Sequence, residues 1–294
     1  MSINFIYAQD ELFKVLASSG SNKVQAQGAA DWKPLYFGKK LMKGDKIQIG
    51  DKSYIGLVFK NGKSIEIKKA GIYEVSKLSS EVSKQNASLN TKYTDFLAGE
   101  MSKAGGDDMA RNRYKYMAVT GSVLRGDGEI PIFIDSAKAA NVLGKEVLIK
   151  WEAEEKTKTY VVKLINLFGE EISSRETTET SIVLNIDSKN EKIYLVTIAS
   201  KENPNAKNDL KITFPTNAIE LNKQLVELKA QMPEETALNK VILASFYEDN
   251  KLYPEAMQTY ESAIKLEPEV EDYKIAYNQF LERAKIAKPT TVKK

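Results

Sequence analysis

The chain has no cysteine and no histidine among its 294 residues. Without cysteine there are no disulfides, no zinc–thiolate sites and no thiol nucleophile. Without histidine the commonest general base and the commonest transition-metal ligand are missing, so Ser-His-Asp and Cys-His catalysis cannot arise within the chain. No apolar run approaches the roughly 18 residues that a membrane-spanning helix needs. An excess of charge of one sign is lacking too: 43 basic residues face 40 acidic ones, a formal net charge of +3, which gives no general reason to expect nucleic acid as a partner.

What is present is an ordinary globular composition, 42% hydrophobic and 28% charged. At this length two or three domains can each bury a core. Enzymes that work through Asp, Glu, Lys or Tyr alone are few, so the expectation is a non-catalytic protein with no catalytic residues, cofactor or metal. Residues 1–9 carry a short apolar run, Ile3 to Ala8, before Gln9-Asp10-Glu11. It resembles the end of a secretory signal cut after Ala8, and it reads equally as an N-terminal strand.

Residues 10–78 read as β-rich. Phe13, Val15 and Leu16 suggest an opening strand and Ser18 to Gly28 a polar loop. Ile47 and Ile49, then Ile55, Leu57 and Phe59, alternate with other residues as half-buried strands do. Gly44-Asp45 marks a turn, and Asn61-Gly62 predicts a tight type I′ hairpin returning through Ile65 and Ile67. The order tryptophan (Trp32), Gly-Asp (Gly44-Asp45), strand (Ile55 to Phe59) and Asn-Gly hairpin (Asn61-Gly62) resembles the FecR-type β-domain. That resemblance covers about a quarter of the chain. It implies a place outside the bacterial inner membrane, in the periplasm or cell envelope. It also implies either a standalone envelope protein or a regulatory protein relaying surface signals.

Residues 79–129 read as a helical connector, with Leu89, Tyr93, Phe96, Leu97 and Met101 on one face, followed by a linking strand through Val119 and Val123. Residues 130–215 carry five alternating segments: Val147-Ile149-Trp151, Tyr160-Val162-Leu164, Ile182-Leu184-Ile186, Ile193-Leu195-Thr197 and Leu210-Ile212-Phe214. They predict an antiparallel sandwich anchored on Trp151, similar to a fibronectin type III or immunoglobulin-like domain. From 216 to 287 the period is helical, with Leu221, Leu225 and Leu228 forming a first stripe. Leu243, Ala244, Tyr247, Ala256, Tyr260, Ala263 and Pro268 then occupy the spacing of one helix–turn–helix unit and resemble a tetratricopeptide (TPR) repeat. Small residues allow close helix approach, and Pro268 stops the second helix. Residues 288–294 read as a disordered tail. The fold class expected is therefore multidomain α+β: a FecR-like antiparallel β-domain, a β-sandwich and TPR-type helical hairpins.

Candidate sites follow from charge and surface. Residues 33–69 hold ten lysines and three acids, and Lys39, Lys40, Lys43, Lys60 and Lys63 could attract an anionic glycan or an acidic partner. Exposed strand lysines equally serve to prevent edge-to-edge aggregation. In the helical region Asn239, Lys240 and Asn250, with Glu248 and Asp249, are polar groups that could face a partner. Gly56 to Ser64 fails as a phosphate loop because it runs through a hairpin. Asp187 to Glu191 lacks the glycine and spaced carboxylates of a calcium loop. Arg125-Gly126-Asp127 and Asp107-Asp108 read as turns or exposed loop. The function expected is a non-catalytic envelope scaffold or adaptor that binds another envelope protein or a second copy of itself. An envelope regulatory protein and a glycan-binding protein are the alternatives, with neither nucleic acid nor a membrane span.

Overall fold

The computed structural model describes residues 10–82, 88–103, 130–133, 139–189, 191–203 and 205–286. The signal-like start, the linking strand through Val119 and Val123, Asp107-Asp108, Arg125-Gly126-Asp127 and the 288–294 tail lie outside them. The fold is multidomain α+β, and its described residues form two compact units. One groups residues 10–103 with Val226–Ser245 and Ser262–Ala276. The other groups 130–225 with Phe246–Glu261 and 277–286.

The first unit opens with eight strands: β1 (Glu11–Ser19), β2 (Asn22–Gln25), β3 (Lys33–Pro34), β4 (Lys40–Met42), β5 (Lys46–Ile49), β6 (Tyr54–Phe59), β7 (Ser64–Ile67) and β8 (Gly71–Glu74). They make two antiparallel sheets, ordered β4-β1-β6-β7 and β3-β2-β5-β8. One apolar cluster joins them, with Phe13, Val15, Leu41, Ile47, Ile55 and Leu57 at its centre. The stretch expected as a polar loop, Ser18 to Gly28, contains β2. Helix α1 (Val75–Val82) presents Val75, Leu78 and Val82, spaced by three and four, to the same core. Helix α2 (Ser88–Lys103) follows, with Tyr93, Leu97 and Met101 buried along one face.

The β6–β7 hairpin forms as expected, but its turn is of another kind. Gly62 alone takes a positive φ, 91°, while Asn61 does not. The Gly62 N–H donates to the Phe59 carbonyl at 2.7 Å and the Phe59 N–H to the Lys63 carbonyl at 2.8 Å. This is a three-residue loop, a type I turn closed by a left-handed glycine, in place of the two-residue type I′ turn. The Asn61 side chain makes the difference, because its Oδ1 accepts the Lys63 N–H at 3.0 Å and holds Asn61 in the ordinary half of φ space. The Gly44-Asp45 turn is built similarly. Gly44 has φ 91°, and buried Asp45 accepts the Met42 and Gln27 N–H groups at 2.9 and 3.2 Å.

The second unit carries β9 (Ala139–Asn141), β10 (Glu146–Lys150), β11 (Tyr160–Asn166), β12 (Glu171–Thr177), β13 (Ser181–Asn185), β14 (Ile193–Ser200) and β15 (Lys207–Thr213). The β10–β13 pair and the five-stranded sheet β12-β11-β14-β15-β9 share one core, in which Trp151 is 1% exposed and meets Tyr160 edge-on at 5.3 Å. The β9–β15 pairing is parallel, so this sheet is mixed. On β14 the inward residues are Tyr194, Val196 and Ile198; the expected set Ile193, Leu195 and Thr197 forms the opposite face. Both faces of that strand are apolar enough to mimic a buried one.

Four helices complete the described chain: α3 (Ala218–Gln231), α4 (Ala237–Asp249), α5 (Tyr253–Leu266) and α6 (Glu271–Arg283). The repeat-spaced Ala244, Ala256, Tyr260 and Ala263 are fully buried, as are Tyr273, Ala276 and Phe280 on α6. Pro268 follows the end of α5, as its missing N–H requires. Each of α3, α4, α5 and α6 gives part of its length to each unit. Among the described residues no helix is long and apolar enough to cross a membrane.

Candidate functional site

The lysines singled out from charge lie on or beside one sheet of the first unit: Lys40 is in β4, and Lys39, Lys43, Lys60 and Lys63 flank its strands. Lys40 opens β4 opposite Lys14 of β1, and the Lys39 carbonyl accepts the Val15 N–H at 2.9 Å. The Lys43 N–H donates to the Asp10 carbonyl and the Lys60 N–H to the Leu12 carbonyl, both at 2.9 Å. Lys43 and Lys60 therefore flank the start of β1, with Lys63 three residues further round the hairpin. The sheet order thus gathers residues separated by up to 24 positions. The patch is not purely basic. Lys40 pairs with Glu11 at 2.6 Å, and that hydrogen bond raises its pKa.

The three helical candidates are not brought together. Asn239 and Lys240 lie in the first turn of α4, and Asn250 follows its last turn. Asn239 is buried and tied on both sides: its Nδ2 donates to the Glu234 carbonyl at 2.8 Å, and its Oδ1 accepts the Ser64 hydroxyl. Lys240 pairs with Glu235 at 3.3 Å. The Asn250 amide caps the helix through the Phe246 carbonyl at 2.8 Å.

Buried polar contacts on the helices were not apparent from spacing or charge. In the first unit Asp272, 1% exposed, accepts the Ser18 N–H at 2.8 Å through Oδ2. Nearby, Asn22 Nδ2 donates to Ser18 Oγ and to the carbonyls of Ser19 and Tyr54. The Tyr54 and Tyr273 hydroxyls meet at 2.5 Å, and burial raises both pKa values far above the ordinary phenol value. Glu66 accepts the Leu238 N–H at 2.8 Å, an anionic cap at the start of α4.

In the second unit Glu248 takes Arg283 Nε at 2.7 Å and Nη2 at 3.1 Å, together with the Tyr260 hydroxyl at 3.0 Å. Glu261 takes Lys150 at 2.5 Å and the Tyr277 hydroxyl at 2.8 Å; burial, then Glu261, raises the Tyr277 pKa. Glu255 Oε1 accepts the Leu143 and Gly144 N–H groups at 2.6 and 3.1 Å, and burial raises its carboxyl pKa.

Chemically, these carboxylates are committed acceptors that join helices to strands and loops. Their partners are backbone amides, tyrosine hydroxyls, lysine and arginine, a pattern that locks elements in place. Among the described residues no cluster of three or more acids could hold a metal. Asp187 accepts the Lys189 N–H at 2.9 Å through Oδ1, the geometry of a turn.

No known protein family and no curated protein matches the chain. Among solved structures, two of β-glucuronidase from Ruminococcus gnavus, both in complex with uronic isofagomine, align at 12% identity. One has a TM-score of 0.22 over 71% of this chain and 33% of the other; the second has 0.21 over 72% and 45%. The chain thus spans less than half the length of either. At those scores the alignments establish neither a shared fold nor a shared activity.

Proposed function

We propose that the chain is a non-catalytic scaffold or adaptor of the bacterial cell envelope. In this reading the first β-region is a FecR-like domain, the seven-stranded region an immunoglobulin or fibronectin type III-like sandwich, and α4–α5 a TPR-type hairpin. The observation that carries it is the α4–α5 pair, in which small residues at repeat spacing, Ala244, Ala256 and Ala263, are fully buried. Such units bind by surface complementarity and need no bond chemistry. Exposed apolar side chains supply contact points: Phe168 on the β11–β12 turn is 82% exposed and Ile219 on α3 is 91% exposed. The partner is another envelope protein or a second copy of the chain.

Site-specific photocrosslinking in intact cells tests this, with probes at Phe168, Ile219 and Lys43. Discrete protein adducts in the envelope fraction are expected from at least one position. Deleting residues 217–287 is unsuitable as a test, because those helices belong to both compact units. A chain confined to the cytoplasm, or no protein adduct from any probe, defeats the reading; adducts to a sigma-factor pathway component favour the regulatory one. The lysines around the start of β1 favour an anionic glycan as a second ligand, and its binding should fall steeply with salt.

A further inference from the structure

Helices α4 and α6 end in the same way. The Lys251 N–H donates to the Glu248 carbonyl at 2.9 Å and the Leu252 N–H to the Tyr247 carbonyl at 2.8 Å. Thirty-four residues on, the Lys285 N–H donates to the Glu282 carbonyl at 3.1 Å and the Ile286 N–H to the Leu281 carbonyl at 2.8 Å. This paired bonding is the Schellman motif, which holds one residue in the left-handed region, usually glycine. Here that residue is lysine both times, with φ 57° at Lys251 and 55° at Lys285. A side chain at positive φ carries a conformational cost that glycine avoids. A favourable charge–dipole contact is open to a lysine anywhere in the last turn of a helix, so it does not account for lysine at the strained position.

Both lysines line one cavity of about 320 Å³ within the second unit, together with Asn141, Tyr253 and Arg283. No acidic side chain lines it. Arg283 is already held by Glu248 through Nε and Nη2, which balances its charge. Lys251 and Lys285 make no ion pair among the described residues. The cavity therefore keeps about two positive charges. Tyr253 opens α5, a 14-residue helix whose N-terminal end favours an anion. Asn141 Oδ1 accepts the Thr213 hydroxyl at 2.7 Å, so its amide nitrogen is the group left to meet a ligand. The Tyr253 ring is steadied by Phe280, with centroids 5.9 Å apart.

We propose that this cavity binds a small phosphate monoester. Two lysine point charges match a dianion. The volume is at the low end for small-molecule sites, with room for a phosphate and a short organic body against the Tyr253 ring. The strain at the two helix ends goes with placing both lysines on the wall of one cavity.

Calorimetric titration of the full chain with glycerol 1-phosphate and with inorganic phosphate tests the site. Saturable one-site binding is expected, tighter for the ester, with Lys251→Gly and Lys285→Gly each weakening it roughly tenfold. Because glycine suits both positions, those variants should melt no lower than the parent. Lys251→Asn and Lys285→Asn, which also tolerate positive φ, should bind as weakly as the glycine variants. The proposal fails if neither probe binds saturably up to about 10 mM, or if the double glycine variant binds like the parent. It fails also if the glycine variants melt several degrees lower, which would make the lysines structural. Equal affinity for free phosphate and the ester would overturn the assignment to a monoester.

Discussion

Gly56 sits in the middle of β6, a strand whose every residue is buried. A Cβ built there would lie 3.3 Å from Leu238 Cδ2, 3.4 Å from the Tyr273 hydroxyl oxygen and 3.5 Å from Ala17 Cβ. On an open strand, Gly→Val is favourable by up to about 1 kcal/mol, because valine suits the pleat and glycine does not. Against this surface the two added methyl groups must push Leu238 and Tyr273 aside, and overpacking of that kind costs about 1–3 kcal/mol. Gly56→Val is therefore expected to destabilise by about 2 kcal/mol, whereas Gly56→Ala, one atom at a tight but tolerable distance, stays within about 1 kcal/mol of the parent. For a unit of this size the valine variant should melt roughly 4–8 °C lower. Differential scanning calorimetry with hydrogen exchange at the β6 amides reads both the loss and its location. A valine variant as stable as the parent would refute the reasoning, since it would mean that Leu238 and Tyr273 do not cover this strand.

Gly99→Ala should move the other way: Gly99 is an exposed α2 position whose added Cβ meets nothing within 4 Å, and about 0.5–1 kcal/mol of stabilisation is expected in urea melts. Trp151→Ala should cost about 3–5 kcal/mol through the cavity left beside Tyr160, with the loss confined to exchange protection of β10 to β15. Burial raises the Glu255 carboxyl above its ordinary 4.5, so the folded chain holds that proton more tightly than the unfolded chain does. The stability this supplies is full below pH 4.5 and is lost as pH rises through the folded value. Glu255→Gln, which keeps an oxygen for the Leu143 and Gly144 amides, should flatten that decline in urea melts run from about pH 4 to pH 7; an unchanged slope would count against the burial.

Elements with a single apolar face were legible in the residue pattern. Alternation located β7, β10, β11 and β15, and the period of the helical region located α3 to α6 with their buried alanines; β6 was found through Ile55, Leu57 and Phe59 although both of its faces are buried. β12 was missed because Glu-Ile-Ser-Ser-Arg-Glu-Thr is a sheet-edge strand with no buried face, so no alternation marks it. β14 was found with its faces exchanged, since Leu195 on the outer face imitates the Val196 beside it. The lysine cluster could be read from charge, though not the Glu11 that pairs within it. Asp272, in the first turn of α6, drew no reading from the sequence, because only the fold brings it to the Ser18 amide. The lysines at the helix ends left no trace in composition, because positive φ at a non-glycine residue is a property of the backbone path.

The Ser18–Asp272 bond joins residues 254 positions apart in the sequence. Synthesis at 5–20 residues per second separates the two by roughly 13–50 s. The strands that α4 and α6 will cover, β6 among them, are therefore made long before their cover exists. A nascent first unit must wait with an apolar sheet face open, so holding factors and translation rate, more than the stability of the finished fold, should set the yield of native chain.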